Sequence, residues 1–151
     1  MGIRHSNCIL DGKYIGVDGC KCGWIATIYK KGSLKLNKYS CMEELVSANE
    51  NYRELLIDMV IGLQSSNDEV RPDNAARALI PGRTSTIFVV PARQAMYADT
   101  KESIREANKK ALGKDLPTQA IAIVPKMREL DEFLQSHPAH KNRLKESHPE
   151  V

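Results

Sequence analysis

Apolar and polar positions alternate through the first forty residues and then bunch. Residues 14–18 read Y-I-G-V-D, 24–29 read W-I-A-T-I-Y, and 34–39 alternate as L-K-L-N-K-Y. A period of two, rich in β-branched and aromatic residues, predicts three strands, the third with one face buried. Residues 19–23 and 30–33 supply the turns, the second centred on Gly32, so the strands form an antiparallel meander. Ser40, with Glu43 three residues on, predicts a capped helix over 41–50 with Leu45 and Val46 inward. Residues 54–63, E-L-L-I-D-M-V-I-G-L, are almost continuously apolar, broken by Asp58. Such a run suits a central strand buried on both faces and delivered parallel by a helical crossover.

The second half reads as helices and loops. Residues 64–71 form a polar loop, and 72–80 a short helix stopped by Pro81-Gly82. Residues 85–90, S-T-I-F-V-V, are a short strand or an extended segment. A helix is expected over 100–112 with Gly113 as its stop. Another runs over 118–135, kinked or broken at Pro125. Residues 143–151 are expected as a last strand. With no repeat, low-complexity tract or linker, residues 1–151 read as one domain.

Composition adds bounds rather than a function. The 151 residues are 42% hydrophobic and 27% charged, which is ordinary for a globular chain able to bury a core. A net charge of +3 does not by itself argue for nucleic-acid binding. No apolar run approaches the ~20 residues that span a bilayer, so no membrane association is expected. Residues 1–11 lack a signal-peptide pattern. The cysteines, Cys8, Cys20, Cys22 and Cys41, are therefore expected as free thiols in the cytoplasm.

Two acids stand out. Asp18 closes the first strand and Asp58 interrupts the most hydrophobic one. If those strands are neighbours, the carboxylates lie side by side and repel unless something positive holds them. Hard oxygen ligands of this kind suit Mg²⁺ or Mn²⁺, which can activate water for phosphodiester cleavage. The competing reading is structural, with Asp58 paired to Arg77 or Arg83. The tail E-S-H-P-E-V could bring Glu146 or Glu150 to the same metal, or be a solvated end. Arg71, Arg77, Arg83, Arg93, Lys126 and Arg128 would contact phosphates if gathered, and are ordinary surface charges if dispersed. Two Phe, one Trp and five Tyr are too few for a single-strand stacking platform. The spacing of Cys20 and Cys22 is not that of a zinc ribbon, and neither a P-loop nor a G-x-S-x-G elbow is present.

Taken together, the segments G-V-D-G-C-K-C-G-W (16–24), I-D-M-V-I-G-L (57–63), D-N-A-A-R (73–77), G-R-T-S-T-I-F-V-V-P-A-R (82–93), Q-A-I-A-I-V-P-K-M-R-E-L-D (119–131) and the closing H-P-E-V carry a resemblance. In order and spacing the chain resembles the "domain of unknown function 429" family of predicted nucleases with a ribonuclease-H-like fold. The resemblance implies an α/β architecture, with a mixed central sheet (a three-strand antiparallel meander plus parallel strands) and helices on the faces. It implies that Asp18, Asp58 and Glu150 hold Mg²⁺ or Mn²⁺, and that His148 moves a proton or positions water. Arg77, Arg83, Lys126, Arg128, Glu129 and Asp131 match polar positions expected to line the same cleft, the four basic ones as contacts to nucleic acid. Cys22 stands where members usually have Gly. Members usually continue beyond H-P-E, so this chain is expected to lack a C-terminal portion and to expose apolar surface that a homodimer would cover. The first expectation is a metal-dependent nuclease acting on DNA or RNA. The alternative is a non-catalytic module of the same fold that binds nucleic acid or a protein. An ATPase-like reading is third, since G-V-D-G also resembles the first phosphate loop of the actin and sugar-kinase superfamily.

Overall fold

The computed structural model describes residues 11–83, 86–87 and 89–148. Its order is β1 (Lys13–Cys20), β2 (Gly23–Lys30), β3 (Ser33–Tyr39), α1 (Met42–Ala48), β4 (Glu54–Asp58), α2 (Asp73–Leu79), α3 (Arg93–Met96), α4 (Lys101–Leu112), α5 (Thr118–Ser136), a 3-10 turn (Pro138–His140) and β5 (Leu144–Glu146). The five strands form one mixed sheet in the order β3-β2-β1-β4-β5. The meander is antiparallel, while β4 pairs parallel with β1 and with β5.

Local chemistry sets the turns. Lys31 and Gly32 both have positive φ (48° and 81°), which matches a two-residue hairpin turn whose twist suits the flanking strands. Gly23 has φ 138°, and a Cβ there would collide with the Tyr39 carbonyl, so only glycine lets β2 start against the end of β3. Gly113 ends α4 in the left-handed region at φ 65°, as its sequence position predicts. The cap of α1 lies one residue later than Ser40. Cys41 is the N-cap, and Glu44, not Glu43, reaches back to the Ser40 backbone N–H at 2.7 Å and hydroxyl at 2.6 Å.

Two apolar clusters share α5 as a spine. The first joins one face of the sheet (Ile15, Val17, Trp24, Ala26, Leu55, Ile57) to α1 and to Leu130, Phe133 and Leu134 of α5. The second gathers α3, α4 and the first half of α5, through Ala120, Ile121, Val124 and Met127, around Leu63, Val90 and Ala92. Met59 packs on both. Pro125 does not break α5, which is one helix across it. Its ring lies on the exposed side of the helix.

Further expectations change. The apolar run at 54–63 is strand only to Asp58, and it alternates, with Leu55 and Ile57 buried but Leu56 43% exposed. Residues 59–63 instead leave the sheet to seed the second cluster. β3 lacks the expected buried face: Ser33 to Lys38 are all exposed, Leu34 and Leu36 among them, and of its residues Tyr39 alone is buried, opposite Trp24. Helices cover one sheet face, not both, among the described residues. The other face presents Gly16, Asp18, Ile25, Thr27, Leu36 and Leu56. The last strand is three residues long, and positions 84, 85, 88 and 149–151 lie outside the described residues, so the expectations for 85 and 88 and for the closing P-E-V are not placed.

Candidate functional site

Asp18 and Asp58 are register partners at the carboxyl ends of adjacent parallel strands. Neighbouring strands lie about 4.8 Å apart, and in-register side chains share a face. Val17 and Ile57 point into the core, so the alternation sends both acids to the opposite, exposed face. Asp58 is therefore not the buried carboxylate expected of a strand covered on both sides. Where an α/β sheet's parallel strands end, connecting loops diverge and leave room for a ligand.

That room is a cleft of about 570 Å³. Its walls include Asp18, Lys21, Asp58, Lys126, Glu146 and His148. The loop after β4, residues 86–87 and the α5 segment around Pro125 close its sides. The His148 Nε2 lies 3.3 Å from the Thr86 carbonyl oxygen. Lys126 Nζ sits 4.6 Å from the centre of the Trp24 ring and 2.9 Å from Glu129 Oε2.

Arg71, expected as a phosphate contact if the basic residues gather, instead braces the cleft. Arg71, with a side chain only 8% exposed, donates to Asp73 Oδ2 at 2.8 Å and to the Ile61 and Gly62 carbonyls. It also grips both oxygens of Glu146, at 3.0 and 3.1 Å. The Ile61 N–H adds a third donor to Glu146 at 2.9 Å. Burial alone would weaken the Arg71 cation, and Asp73 and Glu146 outweigh that and raise its pKa. Glu146 thus fastens the β4–α2 loop to β5, with its lone pairs largely engaged. The signal in the sequence was the R-P-D triplet at 71–73, an arginine and an acid flanking a helix-starting proline.

The remaining expected residues disperse. Arg77 Nη2 donates to the Ile87 carbonyl at 2.9 Å and lines an adjoining hollow of about 200 Å³ with Arg71 and Asp73. Arg83 is exposed and does not line the acid cleft. Arg128 donates to the Met96 carbonyl at 2.6 and 2.9 Å and to that of Ala98 at 3.0 Å, where it caps the end of α3. Glu129 accepts from Trp24 Nε1 at 2.7 Å and the Met42 N–H at 2.8 Å. Asp131 accepts from Arg93 at 2.6 Å and from the Tyr97 hydroxyl at 2.8 Å. Of the six polar positions expected to share the cleft, Lys126 lines it. Helical periodicity turns Arg128, Glu129 and Asp131 of the same helix to other neighbours. Glu150 lies outside the described residues.

Two hard carboxylates side by side and open to solvent fit Mg²⁺ or Mn²⁺, because such ions keep several waters and take one or two carboxylates plus substrate oxygens. Among the described residues no group of three or more acids, histidines or cysteines is placed to hold a metal ion. No described helix is long and apolar enough to cross a membrane.

The family model described as "Protein of unknown function (DUF429)" matches residues 16–151, and the chain belongs to that family. No curated protein and no solved structure matches it.

Proposed function

We propose that this family member is a metal-dependent nuclease of ribonuclease-H-like fold, hydrolysing phosphodiester bonds in DNA or RNA in the reducing cytoplasm. The observation that carries it is the pairing of Asp18 with Asp58, in register at the ends of adjoining parallel strands and open to a cleft that also holds Lys126 and His148. The three-strand meander followed by parallel strands supports the fold reading. Free thiols at Cys20, Cys22 and Cys41 are consistent with the compartment.

Asp18 and Asp58 would hold Mg²⁺ or Mn²⁺, with Glu150 as a further carboxylate. Bound there, the ion would supply charge stabilisation and a more acidic water. Lys126 and Lys21 put positive charge on the walls where a phosphate approaches. His148, beside the Thr86 carbonyl, would move a proton or position the attacking water. Arg71 and Glu146 keep the loop after Asp58 in place. The alternative, a non-catalytic module binding nucleic acid or a protein, is favoured by one observation: Glu146, a described acid that lines the same cleft, has both oxygens engaged by Arg71 and Ile61. The exposed leucines of β3 and β4 would be covered in a homodimer.

The test is cleavage of single-stranded, duplex and RNA–DNA hybrid substrates with Mg²⁺, Mn²⁺ or EDTA, using the parent chain, Asp18→Asn and Asp58→Asn. Metal-dependent cleavage lost by at least about a hundredfold in both variants is expected for groups that act in the reaction. Folded protein that binds nucleic acid equally well with and without the two acids, and cleaves none of the three, would move the assignment to the binding module.

A further inference from the structure

At the other end of the sheet, on the helix-covered face, a hollow of about 750 Å³ opens beside α1. Its lining includes Lys13, Lys30, Lys31, Lys35, Asn37 and Tyr39. Lys13 and Lys30 are register partners on β1 and β2. Like charges directly opposite each other on a sheet destabilise it. Lys35 joins them from β3, two residues along from Ser33, the partner of Lys30. Lys13 donates to the Glu50 carbonyl at 3.1 Å, and none of the four lysines forms an ion pair among the described residues.

The floor of the hollow is built rather than merely charged. Tyr39 is 7% exposed. Its hydroxyl oxygen accepts from Asn37 Nδ2 at 3.1 Å and from Asn49 Nδ2 at 2.9 Å. Asn49 Nδ2 also donates to the Leu45 carbonyl at 2.8 Å, which fixes that amide's orientation. With both lone pairs of the phenol engaged, its proton remains, and it has no acceptor among the described residues. A buried donor without an acceptor is costly unless a ligand or water supplies one. Asp11 and Glu50 line an adjoining recess beside Lys13, Lys30 and Lys31, so the most positive part of the hollow is toward Lys35 and Tyr39.

We propose that this hollow binds a compact, multiply phosphorylated anion, held by Lys30, Lys35 and Lys13 with the Tyr39 hydroxyl as a buried donor. Ammonium groups are point charges that meet phosphate oxygens from any direction. The lining offers no exposed aromatic face on which a base could stack, so charge is read rather than sequence. The site is separate from the acid cleft. Lys13 lies five residues from Asp18 along β1, about 17 Å at strand spacing, and the two point to opposite faces. The proposal uses none of the cleft's residues, so it stands apart from the nuclease reading.

The experiment is isothermal titration of the whole chain with inorganic tripolyphosphate, with orthophosphate and a twelve-nucleotide single strand as comparison arms. Saturable one-to-one binding of tripolyphosphate is expected, at least about tenfold tighter than orthophosphate. Lys30→Gln with Lys35→Gln, both at exposed or half-exposed positions, should weaken it about tenfold or more, and Tyr39→Phe by at least about threefold. Lys109→Gln with Lys110→Gln on α4 carries the same charge change and should leave binding within about twofold. Thermal melts of each variant confirm folding. Absence of saturable tripolyphosphate binding, equal loss in the α4 control, or binding through these lysines by the oligonucleotide alone would each overturn the proposal.

Discussion

The guanidinium of Arg71 grips both carboxylate oxygens of Glu146 across 75 positions of sequence, tying the loop after β4 to the edge strand β5. This contact, rather than backbone pairing, fixes the loop that begins at Asp58 and forms one wall of the cleft.

Removing one partner of a mostly buried ion pair leaves the other uncompensated. Arg71→Ala should therefore lower stability by about 3 kcal/mol, the low end for buried pairs because Glu146 is a third exposed. Arg71→Lys keeps the charge but loses the fork and should recover less than half of it. Urea unfolding of the three proteins reads both numbers.

Glu129 joins β2, α1 and α5 by accepting from Trp24, the Met42 backbone and Lys126. Burial pushes its carboxyl up, but these donors outweigh burial and hold it below the usual carboxylate range. Because the folded-state pKa is the lower one, its stabilisation is complete above about pH 4.3, the ordinary glutamate value, and fades as pH falls through the folded value. The stability gap between the parent chain and Glu129→Gln should shrink on acidification from neutral pH. A gap that widens in acid would contradict this geometry.

The two sides of the sheet should respond differently to truncation. Leu55 is fully buried, and Leu55→Ala should cost about 3 kcal/mol. Leu36 is 70% exposed, and Leu36→Ala should stay within about 0.5 kcal/mol. If the exposed face is covered by a second copy, the Leu36 cost will grow with protein concentration, which denaturation at two concentrations detects.

Cys22 occupies the hairpin turn after Asp18, 3.0 Å from Lys38 Nζ. The hydrogen bond and charge of Lys38 lower the thiol's pKa. Iodoacetamide should label Cys22 faster than Cys41 near neutral pH. In Lys38→Met the rate should fall several-fold, with its pH midpoint moving up toward the ordinary thiol value of about 8.5. Peptide mapping of labelled protein separates the sites.

Much of the local structure was legible in the sequence. The meander followed from period-two alternation, the Lys31-Gly32 turn from its glycine, and α4 from Thr100 and Gly113 as its two ends. The side-by-side placement of Asp18 and Asp58 followed once strands one and four were taken as neighbours. These features depend on interactions within a few residues, or on a single pairing choice. Burial was less legible. The run from Leu55 to Leu63 is apolar on both sides of Asp58, yet only its first part is strand, because the second cluster beneath α3 and α5 competes for the rest. Leu34 and Leu36 look like core residues by pattern, but Tyr39 must face inward beside Trp24, and the two-residue period then carries the leucines outward.

By itself the sequence determined most of the element types, the meander, the family and the two acids, since these are written in spacing and residue type. Only the tertiary structure decided which side chains meet: that Arg71 closes on Glu146, that Arg128 serves carbonyls, and that three lysines from three strands, with Lys31 from the turn between two of them, share one hollow. The physical reason is that such contacts join residues far apart in the chain. Their energies exist only once the sheet register and the packing of α5 have brought them within a few ångströms.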